Sequence, residues 1–120
     1  MKQTEHKIQS ALISWWALQH KQYRLPEYAL FAIPNGSKRN PVTGAILKRE
    51  GVRRGVPDLL LAAPNKHHAG LFIEMKAGTN QPSKEQREFM GHALTVGYQV
   101  ALCYDWTEAS KVIHEYLEAR

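Results

Sequence analysis

Apolar and polar positions alternate with two different periods along this chain. From Thr4 to about Tyr23 the apolar residues recur every three or four positions: Ile8, Leu12 and Trp15, with Gln19 continuing the stripe and Ala11 and Leu18 beside it. That spacing predicts an amphipathic helix capped by Thr4. Trp15 and Trp16 project about 100° apart; the stripe assigns Trp15 to the core and leaves Trp16 at its margin, where it can join a subunit interface. Leu25-Pro26 closes the helix, Tyr28 to Ile33 reads as a strand, and Pro34-Asn35-Gly36 is a turn. Ser37 to Arg54 lacks a clear period, and only Ala45 to Arg49 suggests a short helix.

Two apolar runs follow. Gly55-Val56-Pro57-Asp58-Leu59-Leu60-Leu61-Ala62 and Gly70-Leu71-Phe72-Ile73-Glu74-Met75-Lys76 flank the polar break Pro64 to Ala69, and together they predict a β-hairpin. Beyond a loop at residues 77–82, Ser83 and Gln86 form a capping box. They open a helix expected to bury Phe89, Met90, Ala93 and Leu94, and Gly97 ends it. Tyr98 to Tyr104 is a strand. Asp105 or Thr107 caps a last helix with the stripe Ala109, Val112, Ile113, Tyr116 and Leu117. The chain of 120 residues is one domain spanning residues 1–120, large enough for a single core.

Charge changes the picture at two places. The net charge of +5 is uneven: residues 1–56 hold ten Lys or Arg against three Asp or Glu, and residues 57–120 hold six against eight. Six cations, Lys38, Arg39, Lys48, Arg49, Arg53 and Arg54, crowd the irregular stretch and are candidate phosphate contacts. The second place is the hairpin, where Asp58, Glu74 and Lys76 interrupt an apolar frame. Alternation puts Glu74 and Lys76 on one face, and strand pairing can bring Asp58 close to Glu74. A buried charge needs a partner or a metal. Two carboxylates suit a hard divalent cation such as Mg²⁺ or Mn²⁺, with the Met75 carbonyl as a third oxygen and Lys76 beside the bound water.

Other chemistries find no support. The one cysteine, Cys103, lies in an apolar run and excludes an internal disulfide, which fits a reducing, cytoplasmic setting. The six histidines do not share a ligand spacing, and no apolar stretch is long enough for a membrane span or a signal core. No phosphate-binding glycine loop or nucleophile elbow occurs.

Pro57-Asp58 followed by Glu74-Met75-Lys76 resembles the PD-(D/E)xK nuclease signature. The lead-in Gly51-Val52-Arg53-Arg54-Gly55, with Pro34-Asn35-Gly36 upstream and Ser83-Lys84-Glu85-Gln86 downstream, resembles the virus-type replication-repair nuclease (VRR-NUC) branch of that superfamily. The resemblance implies an α/β, restriction-endonuclease-like core: a mixed four-stranded sheet flanked by helices. It also implies a first-helix carboxylate near the metal, here Glu5, although the helix dipole alone would favour an acid there. It places Gln86 near the active site in addition to its capping role.

The expected function is therefore Mg²⁺- or Mn²⁺-dependent hydrolysis of DNA phosphodiesters. Asp58, Glu74, Met75 and Glu5 are the metal set, and Lys76 and Gln86 complete the catalytic group. Small standalone phage and bacterial relatives imply a homodimer acting on branched or four-way junction DNA in the host cytoplasm. Two alternatives stay open: a sequence-specific restriction-type nuclease, and a non-catalytic DNA-binding module on a nuclease fold.

Overall fold

The computed structural model describes residues 3–35 and 41–120. Ten elements follow in chain order. Helix α1 (Gln3–Gln19) runs into a 3₁₀ turn (His20–Tyr23), and a second 3₁₀ turn (Glu27–Ala29) leads into β1 (Leu30–Ala32). Then come α2 (Pro41–Arg49), β2 (Leu59–Leu61), β3 (Leu71–Met75), α3 (Lys84–Thr95), β4 (Gln99–Cys103) and α4 (Trp106–Glu118). The strands form one sheet in the order β1-β2-β3-β4. The first two pairings are antiparallel, and β3 runs parallel to β4 with α3 as the connection, so the sheet is mixed.

The two faces of this sheet have different jobs. Leu59, Leu61, Leu71, Ile73, Met75 and Cys103 are fully buried and join Leu12 and Trp16 of α1 and Ala109, Ile113, Tyr116 and Leu117 of α4 in one core. Alternation sends Phe72 and Glu74 to the other face. There the Phe89 ring of α3 meets Phe72 edge-on at 5.2 Å. The capping box at Ser83 and Gln86 is present, and Asp105 rather than Thr107 caps α4.

Five sequence expectations change. Helix α1 already includes Gln3, so Thr4 lies within its first turn and does not cap it. Trp15 is half-buried against the core as expected, but Trp16 is the more deeply buried of the two: it is 1% exposed and stacks on Tyr23 with ring centroids 6.1 Å apart. Its indole N–H donates to the Glu27 carbonyl at 2.8 Å. A buried indole needs such an acceptor, and the chain beyond α1 supplies it to position 16. Burial also leaves Trp16 unavailable to a subunit interface. Strand β1 is shorter than Tyr28–Ile33 because residues 27–29 tighten into a 3₁₀ turn. Helix α2 starts at Pro41, earlier than Ala45. Leu94 is 57% exposed because α3 buries a narrow stripe through Ala93, and Leu94 turns about 100° away from it. Among the described residues, no helix is long and apolar enough to cross a membrane.

One glycine fixes the approach of α3 to the hairpin. Gly55 has φ +90°, and a Cβ placed on it would lie 2.5 Å from the Glu85 carbonyl oxygen. Gly51 has φ +98° but nothing within 4 Å. Gly55→Ala should therefore cost about 2 kcal/mol or more, combining backbone strain with a clash against helix backbone, whereas Gly51→Ala carries only the ~1 kcal/mol backbone part. Urea denaturation of the two variants checks this; equal midpoints would show that α3 does not press on Gly55.

Candidate active site

The hairpin register creates the centre of the site. Leu59 pairs with Ile73, so the next position outward sets Asp58 opposite Glu74 on the face that carries Phe72. Both carboxylates are buried, at 6% and 3% exposure. Asp58 is held at both oxygens: Oδ1 accepts from Asn35 Nδ2 at 2.9 Å, and Oδ2 accepts from the Met75 N–H at 2.8 Å. Glu74 Oε2 accepts from Gln86 Nε2 at 2.7 Å and lies 3.6 Å from the Lys76 ammonium. Asp58, Glu74, Lys76 and Gln86 thus come together, around the backbone of Met75.

Electrostatically the cluster is under-compensated. Removing a carboxylate from water costs several kcal/mol, while each hydrogen bond to a charged group returns about 1.5–3 kcal/mol. Burial, followed by the Asp58 charge, pushes the Glu74 carboxyl up from 4.5 to about 8, against the pull of Lys76. Burial also raises Asp58, although the Met75 N–H and the Asn35 amide oppose the rise. In addition, Glu74 Oε1 is buried without a hydrogen-bond partner. An orphaned carboxylate oxygen beside a second carboxylate is a donor set that a hard cation satisfies and an apolar core does not. The residues present therefore fit Mg²⁺ or Mn²⁺.

The other expected residues are distributed unevenly. Glu5 lies near enough for its charge to raise both carboxyls, and its Oε2 accepts weakly from Asn80 Nδ2 at 3.4 Å. Among the described residues, no three His, Cys, Asp or Glu side chains already converge as a metal-ligating group; Glu5 acts on the Asp58–Glu74 pair through its charge. Lys48 and Arg49 end α2 and are exposed, as are Arg53 and Arg54. The contact between Gly55 and Glu85 sets Arg53 and Arg54 next to the first turn of α3, one residue from Gln86. Lys38 and Arg39 lie outside the described residues.

Asn35 is a site residue that the sequence offered only as part of the Pro34-Asn35-Gly36 segment of the family resemblance, with no role attached. Asn-Gly read as a turn, and nothing local reveals that the amide reaches 23 positions along the chain to Asp58. Asn80 lies in the 77–82 loop, and its carbonyl accepts from the Tyr104 hydroxyl at 2.9 Å, which ties that loop to the residue following β4. Cys103 is no nucleophile: burial pushes its thiol up to about 12.

A mixed four-stranded sheet with a paired-carboxylate hairpin defines the class as a nuclease fold. The VRR-NUC domain profile matches residues 3–106, and the chain belongs to that family. A solved structure described as a VRR_NUC domain protein superposes with a TM-score of 0.81 over 99% of this chain and 92% of that one, at 22% sequence identity, which speaks for the fold. No curated protein matches the chain.

The raised Glu74 carboxyl has a stability consequence with a definite sign. Folding holds the proton more tightly than the unfolded chain does, so this contribution is complete below about pH 4.5 and is lost as pH rises towards 8. Asp58 acts in the same direction. In EDTA, the melting temperature should fall between pH 5 and 8, and Glu74→Gln should flatten most of that fall. Thermal melts at pH 5, 6.5 and 8 decide it; a wild-type profile that rises with pH would contradict the buried, proton-retaining pair.

Proposed function

We propose that this protein is a metal-dependent endodeoxyribonuclease that hydrolyses phosphodiesters at branch points, with four-way junctions as its preferred substrate. The observation that carries the reading is the buried Asp58–Glu74 pair with its unpartnered Glu74 oxygen, set beside Lys76. When bound there, Mg²⁺ or Mn²⁺ would supply Lewis-acid polarisation of the phosphoryl group and lower the pKa of the attacking water.

The chain's own residues divide the remaining work. Asn35 and the Met75 N–H fix the direction of Asp58, and Gln86 fixes Glu74. Lys76 Nζ holds three donors at the mouth of the pair, where it can orient the attacking water and offset charge on the pentavalent phosphorus. Water is the nucleophile in this reading because, among the described residues, no Ser, Tyr or Cys side chain touches Asp58, Glu74 or Lys76. Met75 and Glu5 remain metal-site candidates through a carbonyl and a nearby negative charge. Lys48, Arg49, Arg53 and Arg54, with Lys38 and Arg39, are the proposed phosphate contacts. The exposure of Lys48, Arg49, Arg53 and Arg54 and the net charge of +5 support this.

Junction preference and assembly follow from geometry of the substrate. A four-way junction has near two-fold symmetry and needs two cuts, whereas one chain carries one carboxylate pair. A two-fold homodimer would bring two such pairs into matching positions.

The deciding experiment is cleavage of a four-way junction and of linear duplex, with Mn²⁺ and with EDTA. Asp58→Ala, Glu74→Ala and Lys76→Ala should each lower the rate by ~100-fold or more with circular dichroism unchanged, and Asn35→Ala by roughly 10- to 100-fold. Paired nicks in the junction, slow cutting of duplex and a dimeric mass by light scattering complete the expected result. A Glu74 or Lys76 variant that cuts at the wild-type rate removes the assignment.

Binding gives an independent check. Each genuine phosphate contact among Lys48, Arg49, Arg53 and Arg54 should, when changed to Ala, reduce the slope of log affinity against log salt by about 1. If all four variants keep the wild-type slope, the basic segment is solvated and DNA lies elsewhere.

A further inference from the structure

Among the described residues, the carboxylate-bearing face of the sheet is only half covered. Four side chains form one row across it, because Phe31 pairs with Leu60, Leu60 with Phe72, and Phe72 with Val100. The neighbouring row, two residues along the strands, contains Asp58 and Glu74. Two residues of strand span about 7 Å, so the Phe31 row lies one step from the candidate chemistry. Over the β3 position of the row, Phe89 of α3 closes on Phe72, which is 9% exposed. At the β1 end, Leu60 is half-buried and Phe31 is 42% exposed. Among the described residues, no aromatic ring stacks on Phe31.

We propose that Phe31 is a stacking platform for an unpaired base next to the scissile phosphate, and that it contributes to selection of branched over continuous DNA. The inference rests on the nuclease reading and adds a specificity-determining residue to it. The occupant follows from the surroundings. An open ring beside a metal-type carboxylate pair, with the exposed cations Arg53 and Arg54 on the α3 side, matches a nucleotide: a π-face for the ring and a phosphate for the charges. A second protein chain fits less well. One ring and a half-buried leucine fall far short of the ~800 Å² per partner that a stable interface needs, and the three-residue β1 offers little edge for strand addition. Bases inside a continuous duplex are already stacked on their neighbours. Only a branch point, a gap or an end presents a free face to Phe31.

The test measures binding in EDTA, so that no cleavage intervenes, to a forked DNA with 2-aminopurine at the branch and to a blunt duplex of equal length. Phe31→Ala should weaken fork binding by roughly 5- to 100-fold and abolish the fluorescence change at the branch, while duplex affinity moves by no more than about twofold. Phe31→Tyr keeps a ring and should behave as wild type. Phe31→Leu keeps apolar volume without a ring and should behave as Phe31→Ala. Leu18→Ala, at an exposed apolar position on α1 across the sheet, should change nothing. Wild-type fork affinity in Phe31→Leu, or equal weakening of fork and duplex in Phe31→Ala, would overturn the platform even if the wild type cleaves junctions. A wild type that binds neither DNA would remove the nuclease reading and the platform together.

Discussion

The structure depends on one constraint: two carboxylates are taken out of water at adjacent positions of a hairpin. Asp58 and Glu74 cannot both be comfortable there as anions, because the donors around them return less than desolvation and mutual repulsion cost. The fold tolerates the arrangement because the rest of the sheet is well packed. On the opposite face Leu59, Leu61, Leu71, Ile73 and Met75 are fully buried against α1 and α4. The same strands therefore stabilise the domain with one face and hold a strained electrostatic pair with the other. A local unfavourable arrangement maintained by surrounding packing is the usual condition of a site that binds a cation or performs chemistry.

The elements around the pair can be understood as ways of keeping it in place. Helix α3 comes close enough for Gln86 to reach Glu74 only because position 55 has no Cβ. The segment after β1 returns so that Asn35 can reach Asp58, and the Ile33 N–H donates to the Asp58 carbonyl at 2.8 Å. The hairpin's own backbone contributes the Met75 N–H. Three separate parts of the chain thus fix two carboxylates, which reduces the reorganisation needed when a cation or a phosphate arrives. The β1 side of the same face, where Phe31 is 42% exposed, and the exposed Arg53 and Arg54 on the α3 side together give a polyanion with a free base an approach across the carboxylate pair.

Much of this was written in the sequence, for a physical reason: the informative features are local. Strand alternation, the Ser83–Gln86 capping box and the amphipathic stripe of α4 each depend on residues a few positions apart. The Asp58, Glu74 and Lys76 set was legible because charges inside an apolar hairpin stand out against the pattern. The order of apolar runs and turns, with the motif, pointed to the α/β nuclease fold that the VRR-NUC match and the superposition bear out.

What only the tertiary structure decided involves partners distant in sequence. The period favours Trp15 for the core; it is the Glu27 carbonyl and the Tyr23 ring that draw Trp16 in instead. Leu94 fits an apolar stripe on paper, but the area of sheet available to α3 ends at Ala93. Asn35 is a turn residue to any local reading, and its amide meets Asp58 only when β1 and β2 pair. Glu5 is a first-turn acid to any local reading, and only the fold brings its charge near enough to raise both carboxyls of the pair. A sequence states which residues carry charge and which way each strand faces. Which distant group arrives to satisfy a buried polar atom is settled by packing, because that partner is chosen by the whole chain at once.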